Sequence, residues 1–192
     1  ALQDIGGFDA TPGPKRQTSS PLDLAIDGTG YFLVKPTGSP PGMSKRGDFK
    51  VSENGIFTDG TGAAALNVDM EVMEIPPHRK ISVSPDGTVE IEPLNGPIGQ
   101  KIKIGQIATV SGSEEPLAKS ADGYIRTVKG SIPEPDNKSV LLNGFLDGSN
   151  VKSVDELVAG IDQSRSYEIN VKFITTAKEM DEATASLMRM PN

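Results

Sequence analysis

Short apolar runs alternating with polar residues fill most of the chain, and one long segment of a different period closes it. Leu22, Leu24 and Ile26 alternate with Asp23, Ala25 and Asp27, a period of two that predicts a strand with one buried face. Gly28-Thr29-Gly30 connects it tightly to the apolar run Tyr31-Phe32-Leu33-Val34, so the pair predicts a β-hairpin or a bulged bend.

The same grammar recurs. Phe49-Lys50-Val51 and Ile56-Phe57-Thr58 flank Glu53-Asn54-Gly55, an Asn-Gly hairpin signal. Ile81-Ser82-Val83-Ser84 and Thr88-Val89-Glu90-Ile91 flank Pro85-Asp86-Gly87, where alternation and turn residues agree. The stretch from Ile102 to Val110 alternates as one further strand. Tyr124–Val128 follows the Asp122-Gly123 turn, and Val140-Leu141-Leu142 with Gly144-Phe145-Leu146 closes the β region. Residues 1–20 mix turn-formers with polar side chains and read as an extended arm with little core of its own.

After Asn150 the punctuation stops. Ser153-Val154-Asp155-Glu156 fits a capping box, in which the Ser hydroxyl and the Glu carboxylate satisfy each other's backbone N–H. Val154, Leu157, Val158 and Ile161 follow at helical spacing, and only Gly160 interrupts before Met190. Tyr167, Ile169, Val171 and Phe173 alternate locally like a strand. No turn signal flanks them and good helix formers follow, so the segment is expected to be helical. On a helical wheel one stripe drifts from Val154, Leu157, Val158 and Ile161 into Ile169, Phe173, Met180 and Leu187. A second, Tyr167, Val171 and Ile174, lies toward the opposite side. A helix apolar on two faces needs partners on two faces, and a β body of this size cannot cover it along its whole length.

Composition narrows the function. With 21 Gly and 15 Pro in 192 residues, the chain suits many short strands joined by turns. A net charge of −7 opposes nucleic acid or an anionic membrane as a partner. No apolar run is long enough for a membrane span, and no cleavable signal peptide opens the chain. Cysteine is absent, which excludes disulfides and thiolate metal sites and suits a protein outside the cytoplasm.

Catalytic chemistry is hard to assemble from these residues. The single histidine, His78, is expected in a proline-pinned polar loop and reads as a surface residue, with no G-x-S-x-G elbow for it to serve. Gly28-x-Gly30 lacks the third glycine of a dinucleotide loop. The carboxylates mostly make turns. Arg46-Gly47-Asp48 spells an adhesion tripeptide and Asn137-Lys138-Ser139 a glycosylation sequon, both short enough to arise by chance. The expectation is no enzyme, no cofactor and no metal. A secreted carbohydrate-active or adhesive β domain is the alternative of a different class.

One likeness is specific. Ser20-Pro21-Leu22-Asp23-Leu24-Ala25-Ile26-Asp27-Gly28-Thr29-Gly30-Tyr31-Phe32 resembles the signature of bacterial flagellar rod and hook proteins, whose positions fall here on Leu22, Asp23, Ala25, Ile26, Gly28, Gly30 and Phe32. Gly47-Asp48-Phe49 with Asn54-Gly55, then Ile75-Pro76-Pro77 with Ile81–Val89, then Ile104-Gly105-Gln106-Ile107 are similar to further segments in family order. So is Gly144–Val151, with Ser149, Asn150 and Val151, followed by Gln163–Asn170.

The resemblance implies a structural subunit of the flagellar basal-body rod. It favours a member of the proximal rod, with the distal rod or a hook-type axial protein as alternatives. It further implies export through the flagellar type III apparatus, a place in the periplasmic rod, packing against itself and other rod subunits, and transmission of torque. Family members begin with an amphipathic helix and an Asn-rich segment that this chain lacks, so a piece of a longer chain is expected. The expected architecture is mainly β: an arm (1–20), a body of short antiparallel strands and hairpins (21–150), and a long C-terminal helix for axial assembly (151–192).

Overall fold

The computed structural model describes residues 11–113, 115–149 and 153–188. Among them lie fifteen strands and one helix. The first five strands are β1 (Lys15–Gln17), β2 (Leu24–Asp27), β3 (Tyr31–Lys35), β4 (Gly42–Ser44) and β5 (Lys50–Val51). The next five are β6 (Phe57–Thr58), β7 (Ala64–Ala65), β8 (His78–Val83), β9 (Thr88–Pro93) and β10 (Ile102–Gln106). The last are β11 (Thr109–Val110), β12 (Leu117–Lys119), β13 (Ile125–Thr127), β14 (Val140–Asn143) and β15 (Phe145–Asp147), followed by α1 (Ser153–Met188). The chain divides into two compact units, Ala1–Asn150 and Val151–Asn192.

The mainly β class, the short antiparallel strands and the C-terminal helix are present as the patterning predicts. The largest sheet runs β12-β13-β4-β3-β7-β6-β5, with β11 also on β3. Its organiser is β3, whose four apolar residues are all buried because both of its faces are covered. Phe32 and Val34 enter one core with Leu24, Phe49, Phe57, Met73, Val89 and Ile107. Tyr31 and Leu33 point the other way, into a second core with Met43, Leu66 and Val110. In the first core Phe49 meets Phe32 edge-on at 5.1 Å and stacks on Phe57 at 5.0 Å.

Both sequence-predicted hairpins with strong turn chemistry form. β5 pairs β6 across Gly55 (φ 75°), and β8 pairs β9 across Gly87 (φ 84°). Two other expectations are corrected.

β2 and β3 do not form a hairpin. β2 pairs β14 in register Ile26↔Leu141, while β3 pairs β4, β7 and β11, so Gly28-Thr29-Gly30 carries the chain from one sheet to another. The bend is tight at Gly30, where a Cβ would come within 2.8 Å of the Ser139 Oγ and 3.2 Å of the Val110 carbonyl. Nor is only one face of β2 buried, since Leu24, Ala25 and Ile26 are all inaccessible.

The single strand expected from Ile102 to Val110 is broken. β10 pairs β9 with a bulge between Lys103 and Gly105, and β11 joins β3 in the large sheet. The break is fixed by new partners: the Ile107 N–H donates to the Gly87 carbonyl and the Ala108 N–H to that of Leu66.

The described part of the arm is extended, and β1 pairs β15 in register Arg16↔Leu146. The Lys15 ammonium donates to the Ile26 carbonyl at 2.6 Å and lies 3.5 Å from the Asp147 carboxylate.

Candidate functional site: an assembly interface

α1 is 36 residues long, about 54 Å at 1.5 Å per residue. It begins at Ser153, where the capping box predicts, and stays helical through Tyr167–Phe173, where the local alternation resembled a strand. Alternation alone lacks the flanking turn residues that would end a helix, and the hydroxyls of Thr175 and Thr176 satisfy themselves on the carbonyls of Val171 and Lys172.

Every residue from Gly160 to Lys178 is exposed. Among them Tyr167 is 71% exposed, Ile169 67%, Phe173 75% and Ile174 67%, with Ile161, Val171 and Met180 also open. At 100° per residue, Ile161, Ile169, Phe173 and Met180 fall within an arc of roughly 120°, and Tyr167, Val171 and Ile174 within roughly 60° on the other side. Covering such side chains contributes roughly 1–2 kcal/mol each, so a helix this open to water stands to gain from partners on both stripes. Val154, Leu157, Val158 and Leu187 lie outside the residues whose side chains are described.

The residues of the N-terminal signature serve the fold. Ala25, Ile26 and Phe32 are core, and Leu22 packs half-buried against them. Asp23 bridges Asp48 through the backbone, and its carbonyl accepts from the Gly144 N–H at 2.7 Å. Gly28 (φ 95°) and Gly30 make the bend. Ser149 is exposed; Asn150 and Val151 lie outside the described residues.

Arg46-Gly47-Asp48 is closed on itself at the surface. The Arg46 guanidinium donates to both oxygens of Asp48, at 2.7 and 2.9 Å, and Gly47 is pressed so close to β2 that a Cβ would lie 1.6 Å from the Leu24 carbonyl. In the sequon, Asn137 (φ 48°) accepts from the Thr109 N–H through its side-chain oxygen, and its Nδ2 is buried.

His78 opens β8 opposite Pro93 instead of lying in a loop, because the sheet recruits it. Its Nδ1 sits 2.9 Å from the Pro76 carbonyl, in a groove of about 720 Å3 that Glu53, Glu74, Ile75 and Leu94 help to line. Among the described residues no nucleophile is hydrogen-bonded to it. The turn carboxylates act as turn-makers: Asp86 accepts from the N–H and hydroxyl of Thr88, which holds its carboxyl below the usual range. Asp122 is lowered in the same way by the Arg126 guanidinium, which donates to both of its oxygens. Among the described residues no group of His, Asp and Glu is placed to hold a metal, and no helix is long and apolar enough to cross a membrane.

What sequence reasoning missed is a second apolar surface, on the β body. Ile98 is 90% exposed, beside Leu94 (48%) and Ile102 (42%). The signal was an apolar residue set between turn-formers, in Gly96-Pro97-Ile98-Gly99.

Comparison with known proteins bears on the whole chain. Residues 142–187 match the family described as flagellar basal body rod FlgEFG protein, C-terminal, a span from β14 deep into α1. The flagellar basal-body rod protein FlgF of Salmonella typhimurium is 26% identical over 190 residues, covering 96% of this chain and 75% of that protein. FlgG of Bacillus subtilis is 30% identical over 181 residues, covering 91% and 68% respectively. FlgF of Caulobacter vibrioides is 30% identical over 181 residues, covering 93% and 67%.

Proposed function

The chain belongs to the flagellar basal-body rod proteins, and from that premise we propose that α1 is its axial assembly element and that its place is the proximal rod, as in FlgF. The protein is a structural rod subunit. The observation that carries the assembly reading is the helix whose large apolar side chains stand open to water on two sides. A lone helix gains nothing from that pattern; a helix enclosed by neighbouring helices does.

In this reading both stripes pack against other copies and other rod subunits, and the β body, residues 21–150, supplies the surface around them. Export through the flagellar type III apparatus, a periplasmic position and the transmission of torque belong to the same proposal, as does the absence of catalysis. The likeness of Asp147–Val151, Asp122–Arg126 and Leu187–Met190 to the proximal rod member favours FlgF, while Tyr167–Asn170 is at least as similar to the distal one, and relatives of both names match the chain.

The test is incorporation. Phe173→Asp and Ile169→Asp each place a charge on one stripe, and Tyr167→Asp on the other. Each variant is expected to be lost from isolated basal bodies, by immunoblot, and to abolish swimming, while the β body melts as in the parent. Normal incorporation of variants on both stripes would overturn the role of α1. Crosslinking to distal instead of proximal neighbours would overturn the assignment of position.

A further inference from the structure

The β body holds three Asn-Gly pairs, Asn54-Gly55, Asn95-Gly96 and Asn143-Gly144. An asparagine followed by glycine can close on its own backbone, because no Cβ shields the glycine nitrogen from the side-chain carbonyl carbon. Closure needs two freedoms. The glycine N–H must not be held by an acceptor, and the asparagine amide must not be tied elsewhere. The fold grants these freedoms unequally.

At Asn143 both are denied. Its Nδ2 donates to the Val83 carbonyl at 2.7 Å, and the Gly144 N–H donates to the Asp23 carbonyl at 2.7 Å. At Asn54 one is denied. The Gly55 N–H donates to the Ser52 carbonyl at 2.9 Å, and the Gly55 carbonyl accepts from the Ile75 N–H at 2.6 Å, so the tip of the β5–β6 hairpin is held at both atoms. At Asn95 neither is denied. The Gly96 nitrogen lies 3.4 Å from the Pro93 carbonyl oxygen, beyond the normal hydrogen-bond range. Asn95 is exposed, and its side chain has no hydrogen-bond partner among the described residues. The Arg79 guanidinium donates to the carbonyls of Leu94 and Gly96 at 2.7 and 3.1 Å. Those bonds fall on either side of the reacting atoms and occupy neither the Gly96 N–H nor the Asn95 amide.

We infer that Asn95 is a covalent modification site of the folded protein, deamidating through its own backbone while Asn54 and Asn143 are protected by the fold. A solvent base takes the Gly96 N–H proton, and the nitrogen attacks the Asn95 side-chain carbonyl carbon. The bond from that carbon to Nδ2 breaks, ammonia leaves, and a succinimide ring remains. Water then adds to either ring carbonyl and opens the ring, leaving aspartate at 95 or isoaspartate, in which the chain runs through the former side chain. Water is the only co-reactant, and nothing is oxidised or reduced. Either product adds a carboxylate to the turn. Isoaspartate also lengthens the backbone between the two carbonyls that Arg79 spans, so that hold cannot persist unchanged. Leu94, beside the modified residue, lines the groove that holds His78, and one wall of that groove therefore changes with the modification. None of this depends on the rod reading.

The test follows the full chain at mildly alkaline pH, once native and once in urea. Samples are digested at mildly acidic pH, and each Asn-Gly peptide is read by mass spectrometry for exchange of NH2 for OH. In the native chain Asn95 is expected to convert several-fold faster than Asn54, with Asn143 intact. In urea, where the protecting hydrogen bonds are gone, the three should convert at comparable rates. The native rate at Asn95 should climb with pH, since the attacking atom is the amide anion. Isoaspartate-specific methylation should label residue 95, and heavy-oxygen water should leave its label in the product. Asn95→Gln keeps the amide but would have to close a larger ring, so it should lose the signal while the β body melts as in the parent. A native order led by Asn54 or Asn143, or equal native rates at all three, overturns the inference. So does an Asn95 that stays intact in the native chain. If Asn95 leads by the same margin in urea, local sequence and not the fold sets the order, and the inference fails.

Discussion

Gly47 shows how one absent side chain can hold two sheets together. Its carbonyl accepts from the Leu24 N–H at 2.9 Å, and no atom fits between it and β2. Gly47→Ala would drive a methyl into a backbone carbonyl that cannot move without dislodging Leu24 from the core. The expected loss is more than about 3 kcal/mol in urea unfolding. Gly112→Ala, where a Cβ meets nothing within 4 Å, is expected to change the midpoint little. Equal effects of the two would show that the close approach of Gly47 to β2 does not matter. Arg126 works by the opposite means. It is 5% exposed and ties the Pro40 and Pro41 carbonyls to Asp122 through four hydrogen bonds, so β13 and the loop before β4 are clamped by one guanidinium.

Among the elements, those with strong local instructions were legible before the fold was known. The β5–β6 and β8–β9 hairpins carry glycine at the residue that needs φ > 0, and α1 carries its own start signal at Ser153. The β2–β3 pair was misleading for a physical reason. Two apolar strands joined by Gly-x-Gly can pair or can part, and which occurs depends on β14, more than a hundred residues away. The run from Ile102 to Val110 failed similarly, because a register shift and the distant acceptors Gly87 and Leu66 break a pattern that is continuous in sequence. At this scale the division of labour can be measured. All described core residues lie between Leu22 and Leu141, so a chain ending at Asn150 should keep the thermal midpoint of the β body within a few degrees. A large fall in that midpoint would mean that α1 supports the body's fold.

For the molecule as a whole, acid is the informative variable. Asp86 and Asp122 are held low by the Thr88 hydroxyl and the Arg126 guanidinium. Burial opposes ionisation of Asp48 and Asp136, but hydrogen bonds from Arg46 and Ser111 outweigh it and leave both lowered. A carboxylate whose folded pKa lies below its unfolded value stabilises the fold above about pH 4, and that contribution is lost as pH falls through the folded value. Urea midpoints are therefore expected to be flat near neutrality and to drop below about pH 4. In Arg126→Ala the acid limb should be shallower, since the main cause of the Asp122 shift is gone; an unchanged limb would sink that attribution. The α1 stripes and the Ile98 turn contribute nothing to this curve, because they are exposed.

The sequence alone determined the strand-rich class, the strongest hairpins, the extent of α1 and its two uncovered stripes, because each of these follows from neighbours a few residues apart. Only the tertiary structure decided that β2 and β3 belong to different sheets, that Arg46 and Asp48 close on each other while Gly47 is pressed against β2, and that His78 joins a strand. These are relations between segments distant in the chain, fixed by which backbone groups find partners and which side chains find space, and no local pattern encodes them.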